Sequence, residues 1–222
     1  ADVGGTGLTR LDAALILEEL AQGCTSTAAY LSIHNMAAWM VAKWGTEQVL
    51  RDWAGELAAG TKLASYCLTE ANAGSDAASL VTTARRDGED YVLNGAKAFI
   101  SGAGDTDVLV VMARTGADGP GGISAFVVPG DAAGLTYGKN ETKMGWNSQP
   151  TRAISFENVR VPVHCLWGAQ GDGFASAMQG LEGGRINIAA CSLGAAQVTL
   201  DMTQRYLSER KQFGQVLADF QA

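Results

Sequence analysis

The chain has 222 residues, of which 47% are apolar and 18% charged, and its formal net charge is −7. So much apolar material at so low a charge density excludes a disordered chain and suffices for one large domain or two small ones. The acidic balance argues against nucleic acid as a partner: the one adjacent arginine pair, in "ARRDGED", is followed at once by acids, and no basic face is left to neutralise phosphates.

The first residues, "ADVGGTGLTR", lack the pattern of a signal peptide and read as the interior of a longer protein. The far end, "KQFGQVLADFQA", reads the same way, and both ends are expected to be cut. From 11 to 20, "LDAALILEEL" places apolar residues at helical spacing with Asp12, Glu18 and Glu19 outward, and Thr9 is placed to cap it. "STAAYLSIHNMAAWMVAKWG" is apolar nearly all round, which predicts a helix buried in a bundle and stopped at Gly45. A third, shorter helix is expected from Thr46. The period then changes. Stretches 63–68, 79–85, 90–93, 96–101, 108–114, 123–128, 135–139 and 152–161 read as strands, separated by turn chemistry such as "DGED", "NGAK" and "PGDAAG". Short strands at this spacing predict an antiparallel barrel or sandwich. Helical period returns near Gly173 and runs to about 213 as one or two long helices. Gly183 and Gly184 inside it cost about 1 kcal/mol each relative to alanine, so their small size is expected to serve a purpose. The organisation is α+β: a partial helical domain over 1–61, a middle antiparallel β domain over 62–167, and the first part of a helical bundle over 168–222.

Little else is available for chemistry. Cys24, Cys67, Cys165 and Cys191 form no CxxC pair and read as free thiols, and two histidines exclude a His-rich metal site. No apolar run approaches the ~20 residues of a membrane span. One stretch stands out: "YCLTEANAGSDAASL", 66–80, starts as a strand and breaks into Ala, Gly and Ser. Such a loop lets backbone approach a ligand. From these residues alone the ligand is a phosphate, a scissile carbonyl or nothing, the last being an ordinary strand-to-loop corner.

Taken with "KAFISGAG", "MGWNSQPTRAISFENVRVP", "GLEGGRINIAACSLG" and "RKQFGQ", in that order and over essentially the whole chain, this stretch resembles the acyl-CoA dehydrogenase family. "SIHNMAAWM", "GWNSQPTRA" and "GGRINIA" are most similar to the branch that handles short branched acyl chains. The resemblance implies a helical N-terminal domain, a middle β domain and a C-terminal four-helix bundle, with FAD between the last two. It also implies an acyl-CoA substrate, an electron-transfer flavoprotein as acceptor, a homotetramer, and a bacterial cytoplasm or mitochondrial matrix as compartment.

Residue by residue, the resemblance implies that Tyr66, Leu68 and Thr69 line the flavin and that Gly74 and Ser75 approach the pyrophosphate and the acyl-CoA. Phe99, Ile100 and Ser101 match a second flavin strand, with Phe99 against the ring; alone, "FIS" reads as a buried aromatic in a sandwich core. Glu182, Gly183, Gly184 and Arg185 fall where relatives contact acyl-CoA. The competing reading of Arg185 is a structural ion pair, since an arginine in an apolar helix needs a partner. Arg210, Gln212, Phe213 and Gln221 match contacts to FAD, often that of a neighbouring subunit. Two departures are visible: Ala71-Asn72 stands where Pro-Gly is common, with Asn suited to left-handed backbone, and Phe220 stands where His or Asn is usual.

The implied reaction removes an α proton, which needs a carboxylate set against it. In the family this base is a Glu, late in the C-terminal domain in most members. In a minority it lies on the helix resembled by "LEGGR", just before the arginine, where this chain has Gly184. Glu182 lies about 200° around the helix from that position. No catalytic residue is therefore expected in this chain, and the base is expected beyond Ala222. A flavin oxidase or monooxygenase on the same fold, and a non-catalytic binding relative, remain as alternatives.

Overall fold

The computed structural model describes residues 3–220. Helix α1 spans Arg10–Trp44 and starts with a reciprocal cap: the Thr9 hydroxyl oxygen accepts from Asp12 N–H at 3.3 Å, and the Asp12 carboxylate accepts from Thr9 N–H at 2.8 Å. Cys24 leaves helical geometry (φ −159°, ψ 103°), so α1 is two helices joined at a kink, as the change in apolar pattern predicts. Thr46 caps the next segment, in which α2 (Glu47–Val49), a π-helical turn over Leu50–Ala54 and α3 (Gly55–Ala59) follow without a break. Gly60, at φ 70°, ends it.

Seven strands then form one curled sheet: β1 (Ala64–Cys67), β2 (Thr83–Asp87), β3 (Asp90–Ser101), β4 (Val108–Arg114), β5 (Ile123–Pro129), β6 (Leu135–Tyr137) and β7 (Thr151–Pro162). Their order is β1-β4-β2-β3-β7-β6, with β5 on the other side of β4. The sheet is mixed, which corrects the wholly antiparallel expectation. β1 runs parallel to β4 over four residue pairs, and Thr83 of β2 pairs parallel with Arg114. Turn residues announce neighbouring antiparallel strands; a pairing between strands forty residues apart leaves no such mark. "NGAK" is a second correction. It is no turn: β3 runs straight through it, with a register shift between Leu93 and Gly95 and φ +144° at Gly95. A Cβ on Gly95 would lie 2.6 Å from the Thr82 hydroxyl oxygen, so β3 and the segment before β2 approach as only glycine allows.

β4 separates two cores. Val108, Val110 and Met112 face the helices, packing with Met40, Val41, Leu57 and Trp167. Leu109 and Val111 face the inside of the curled sheet with Phe126, Ile154 and Phe156. Burial on both faces accounts for the unbroken apolar run of β4.

Helix α4 spans Gly173–Glu209. Its residues as far as Gly194 lie on α1 through small residues. A Cβ at Gly180 would meet Met40 Sδ at 2.8 Å, and one at Gly194 would meet the Glu18 carbonyl at 2.0 Å. From 199 to 210 every residue is exposed. A hairpin of β8 (Lys211–Gln212) and β9 (Gln215–Val216) follows, turning through Phe213 and Gly214 at positive φ.

Candidate functional site

The residues after β1 run alongside the end of β3, where the Ala98 N–H donates to the Thr69 carbonyl at 2.9 Å. Here the register of β3 against β7 slips between Lys97 and Ile100, so Ala98 and Phe99 bulge from the ladder. Phe99 adopts φ +57° and is 64% exposed. A bulky residue in left-handed geometry costs of order 1–3 kcal/mol and persists only where its surroundings dictate it. The flank beyond is tightly held. The Ser65 hydroxyl donates to the Ser101 carbonyl at 2.6 Å, and the Gly102 N–H donates to the Pro150 carbonyl at 2.9 Å. Gly102 has φ +81°, and an added Cβ would lie 2.6–2.8 Å from Thr106, Ser65 and Tyr30. The result is an exposed aromatic ring on a rigid edge, beside the half-buried Thr69 and Ser101. Neither of their hydroxyls has a hydrogen-bond partner among the described residues.

Behind this edge lies a buried ion pair. Lys97 Nζ donates to Glu70 Oε1 at 2.7 Å and to the Leu68 carbonyl at 3.0 Å. The Glu70 carboxylate also accepts from Val81 N–H (2.7 Å) and Thr82 N–H (3.0 Å). Burial works against the Glu70 carboxylate, but Lys97 and the hydrogen bonds from Thr82 and Val81 outweigh it and hold the group below its ordinary value. Burial dominates at Lys97 and lowers its ammonium despite Glu70. Burial also pushes the neighbouring Cys67 thiol up to about 12, which keeps it protonated and inert.

The small-residue loop begins with a tight turn in which Glu70 and Ala73 exchange backbone hydrogen bonds, both 3.1 Å. Ala71 and Asn72 sit at its tip, and Asn72 is not among the residues with positive φ, so the left-handed freedom expected of it is not used. Gly74 and Ser75 follow, both exposed. Beside them opens a cleft of ≈ 480 Å³ lined by Asp76, Ser79, Val81, Arg114 and Asp118. The Arg114 guanidinium is already committed, donating to the carbonyls of Ala78, Leu80, Ala117 and Gly119.

The other expected residues are dispersed. Tyr66 and Leu68 turn their side chains toward the helix-facing core, and Ile100 lies in the inner core, so these three offer backbone rather than side chain to the edge. The Tyr66 hydroxyl is nevertheless buried without a partner among the described residues, and burial raises it well above the ordinary tyrosine value. On α4, Glu182 and Arg185 are exposed and join no ion pair among the described residues, which removes the buried-arginine argument for Arg185. The space over Gly183 is filled by Arg10, whose Nη1 would be 1.8 Å from an added Cβ, and that over Gly184 by Met36. These glycines serve the α1–α4 contact. Arg210, Gln212 and Phe213 stand at the far end of α4, a helix about 55 Å long at 1.5 Å per residue. Phe213 is 94% exposed, and among the described residues no hydrogen bond ties this hairpin to the β domain. Gln221 lies outside the described residues. The expected cofactor residues thus form two separate groups, one on the β-domain edge and one on the hairpin. An exposed ring, two free hydroxyls and a loop of small residues fit a planar heteroaromatic cofactor that carries a phosphate.

Comparison with known proteins bears on this geometry. Three domains of one family match in order: acyl-CoA dehydrogenase N-terminal domain over 1–61, middle domain over 65–159 and C-terminal domain over 171–222. The chain belongs to the acyl-CoA dehydrogenase family. It is 55% identical over 220 residues to the mitochondrial isobutyryl-CoA dehydrogenase of Bos taurus, an alignment covering 99% of this chain and 53% of that protein. Identity is also 55% to the enzyme of the same name from Dictyostelium discoideum, over 100% of this chain and 53% of the relative. The solved structure of butyryl-CoA dehydrogenase from Megasphaera elsdenii superposes with a TM-score of 0.94 at 38% identity, covering 99% of this chain and 59% of that one. The chain spans about half the length of the curated relatives it matches. As in the family, a helical layer, a curled sheet and the start of a second helical unit follow in that order.

Proposed function

We propose that this chain is the cofactor- and substrate-holding part of an FAD-dependent acyl-CoA dehydrogenase acting on a short branched acyl-CoA, isobutyryl-CoA foremost. The observation that carries this reading is the Phe99 bulge, which presents an exposed ring between two unpartnered hydroxyls on a rigid edge. Bound FAD would supply a hydride acceptor for the β carbon of the acyl chain. Phe99 would lie against its ring, with Thr69 and Ser101 hydrogen-bonding its polar edge and the backbone of Tyr66, Leu68 and Ile100 completing the wall. Gly74 and Ser75 would meet the pyrophosphate and the acyl-CoA, where loop amides suit negative charge. Arg210, Gln212, Phe213 and Gln221 would serve the FAD of a neighbouring subunit in a homotetramer, which accounts for their distance from the edge. Glu182 and Arg185 are exposed on α4, where they remain open to acyl-CoA.

The α proton needs a carboxylate base and a polarised thioester carbonyl. Glu70 cannot be that base, because Lys97 and two backbone amides occupy its carboxylate. Gly184 supplies no acid at the minority position. The base is therefore assigned outside 1–222, and reducing equivalents pass to an electron-transfer flavoprotein in the mitochondrial matrix or a bacterial cytoplasm. The isobutyryl assignment draws on the names of the two relatives at 55% identity. Butyryl-CoA and 2-methylbutyryl-CoA are the competing substrates, and pockets discriminate such neighbours by only about 1–3 kcal/mol.

The test is anaerobic titration of the full-length protein. It is expected to be yellow and to bleach with isobutyryl-CoA at lower concentration than with butyryl-CoA or 2-methylbutyryl-CoA. A protein that stays colourless after FAD addition overturns the reading, and fast reoxidation in air reassigns it to the oxidases or monooxygenases. The 222-residue chain alone is expected to show no turnover.

A further inference from the structure

Glu70 and Lys97 are the only carboxylate and ammonium buried among the described residues, at 6% and 1% exposure. Neither belongs to the surface assigned above to the flavin. A buried pair of this kind is seldom more stabilising than apolar side chains of the same size, so stability alone gives no reason for it. Its position in the chain does. Lys97 immediately precedes the bulged Ala98–Phe99, and Glu70 immediately follows Leu68–Thr69, so the pair brackets both segments of the edge. The bulge needs outside support. Pairing with β7 jumps from Lys97↔Ile154 to Ile100↔Arg152, leaving two residues of β3, Ala98 and Phe99, against one of β7, Ala153, and the ladder cannot set what lies between. The Ala98–Thr69 hydrogen bond is one restraint; Lys97 Nζ, reaching the Leu68 carbonyl and Glu70 together, supplies two more. Through Val81 and Thr82 the Glu70 carboxylate ties in a third segment, and Thr82 is the residue against which Gly95 of β3 packs.

We propose that the Glu70–Lys97 pair is a positioning device for the flavin: it sets the Phe99 bulge and the spacing between Thr69 and Ser101. This rests on the flavin reading above. The experiment uses full-length protein carrying Glu70→Gln and Lys97→Met together, which removes both charges at nearly constant volume. Three quantities are measured: the thermal midpoint of the apoprotein, FAD affinity by fluorescence titration, and the visible circular dichroism of bound FAD, which reports how the ring is held. The expected result is an apoprotein that melts close to the parent, binds FAD about tenfold or more weakly, as loss of one or two positioned hydrogen bonds implies, and shows an altered flavin band. Parent-like affinity and band shape overturn the proposal and leave the pair purely structural. If the double variant does not fold, Glu70→Asp decides: it keeps both charges but withdraws the carboxylate by one methylene, and weakened FAD binding with an altered band is expected, whereas parent-like values overturn the proposal. A parent protein that takes up no FAD overturns the flavin reading and the proposal together; normal uptake by the parent with a parent-like variant overturns the proposal alone.

Discussion

Two of the ionic clusters in the β domain lie at opposite extremes of exposure. At one end of β2, β3 and β7, Arg160 meets Asp87 and Asp90 with its side chain 55% exposed and theirs 60% and 38%. Behind the Phe99 edge, Lys97 and Glu70 meet at 0% and 6% exposure. The contact type is the same, but water stands in for a lost partner only at the first. There the attraction is screened and a long side chain must be ordered to gain it. At the second, removing one charge strands the other in a dry interior. The buried pair is thus committed to its geometry in a way the surface cluster is not.

The largest expected effect is Lys97→Met alone, which leaves Glu70 unpaired and is expected to cost about 3–5 kcal/mol in denaturant unfolding. A loss below about 1 kcal/mol would erase the distinction between the two clusters. Next is Gly102→Ala on the same edge, where a Cβ would lie within 2.6–2.8 Å of three neighbours at φ +81°. Strain plus overpacking is expected to cost about 2–4 kcal/mol. Gly88→Ala, at φ +64° with nothing within 4 Å, isolates the backbone part and is expected to cost about 1–2 kcal/mol. Equal losses at the two glycines would show that crowding around the edge is slack.

A pH scan sharpens the comparison further. His34 is buried, with Nδ1 accepting from Ala64 N–H and Nε2 donating to the Leu57 carbonyl, both at 3.1 Å. This latch joins α1, α3 and β1 and requires a neutral ring. Burial lowers its pKa below the ordinary 6.5. The unfolded chain therefore binds the proton first as pH falls, so the stability is fully present above 6.5 and is lost between 6.5 and the lower folded value. His34→Gln is expected to flatten the dependence of the melting midpoint on pH in that window; an unchanged slope would assign it to another group. The smallest effect is Arg160→Ala, for which no resolvable change in melting midpoint is expected at physiological salt.

Much of the architecture is legible in the sequence because it is local. The Thr9 cap, the stop at Gly45, the restart at Thr46 and the shift from helical to strand period each depend on residues within one or two turns. The family motifs likewise carry the residues of the edge. The site's geometry is less legible. "FIS" alone reads as a buried aromatic, yet Phe99 is exposed because Ala98 and Phe99 leave the ladder, and the slip is set by β7, more than fifty residues on. Glu70 and Lys97 lie 27 positions apart, with nothing local to mark them as partners. The one available hint is a charged residue set among small and apolar neighbours, Lys97 on β3 and Glu70 just past the end of β1. The glycines of "LEGGR" mark a close approach, but the sequence does not say of what, and the structure answers Arg10 and Met36.

By itself the sequence determined the element types, their order and the family, since periodicity, caps and motif spacing are properties of short stretches. Only the tertiary structure decided that β1 runs parallel to β4, that Phe99 is pushed outward and that Glu70 is spent on Lys97. Each of these depends on which distant segments are neighbours, and burial then makes that choice binding: an unpaired charge, an unmatched amide or a Cβ without room costs far more in the core than at the surface.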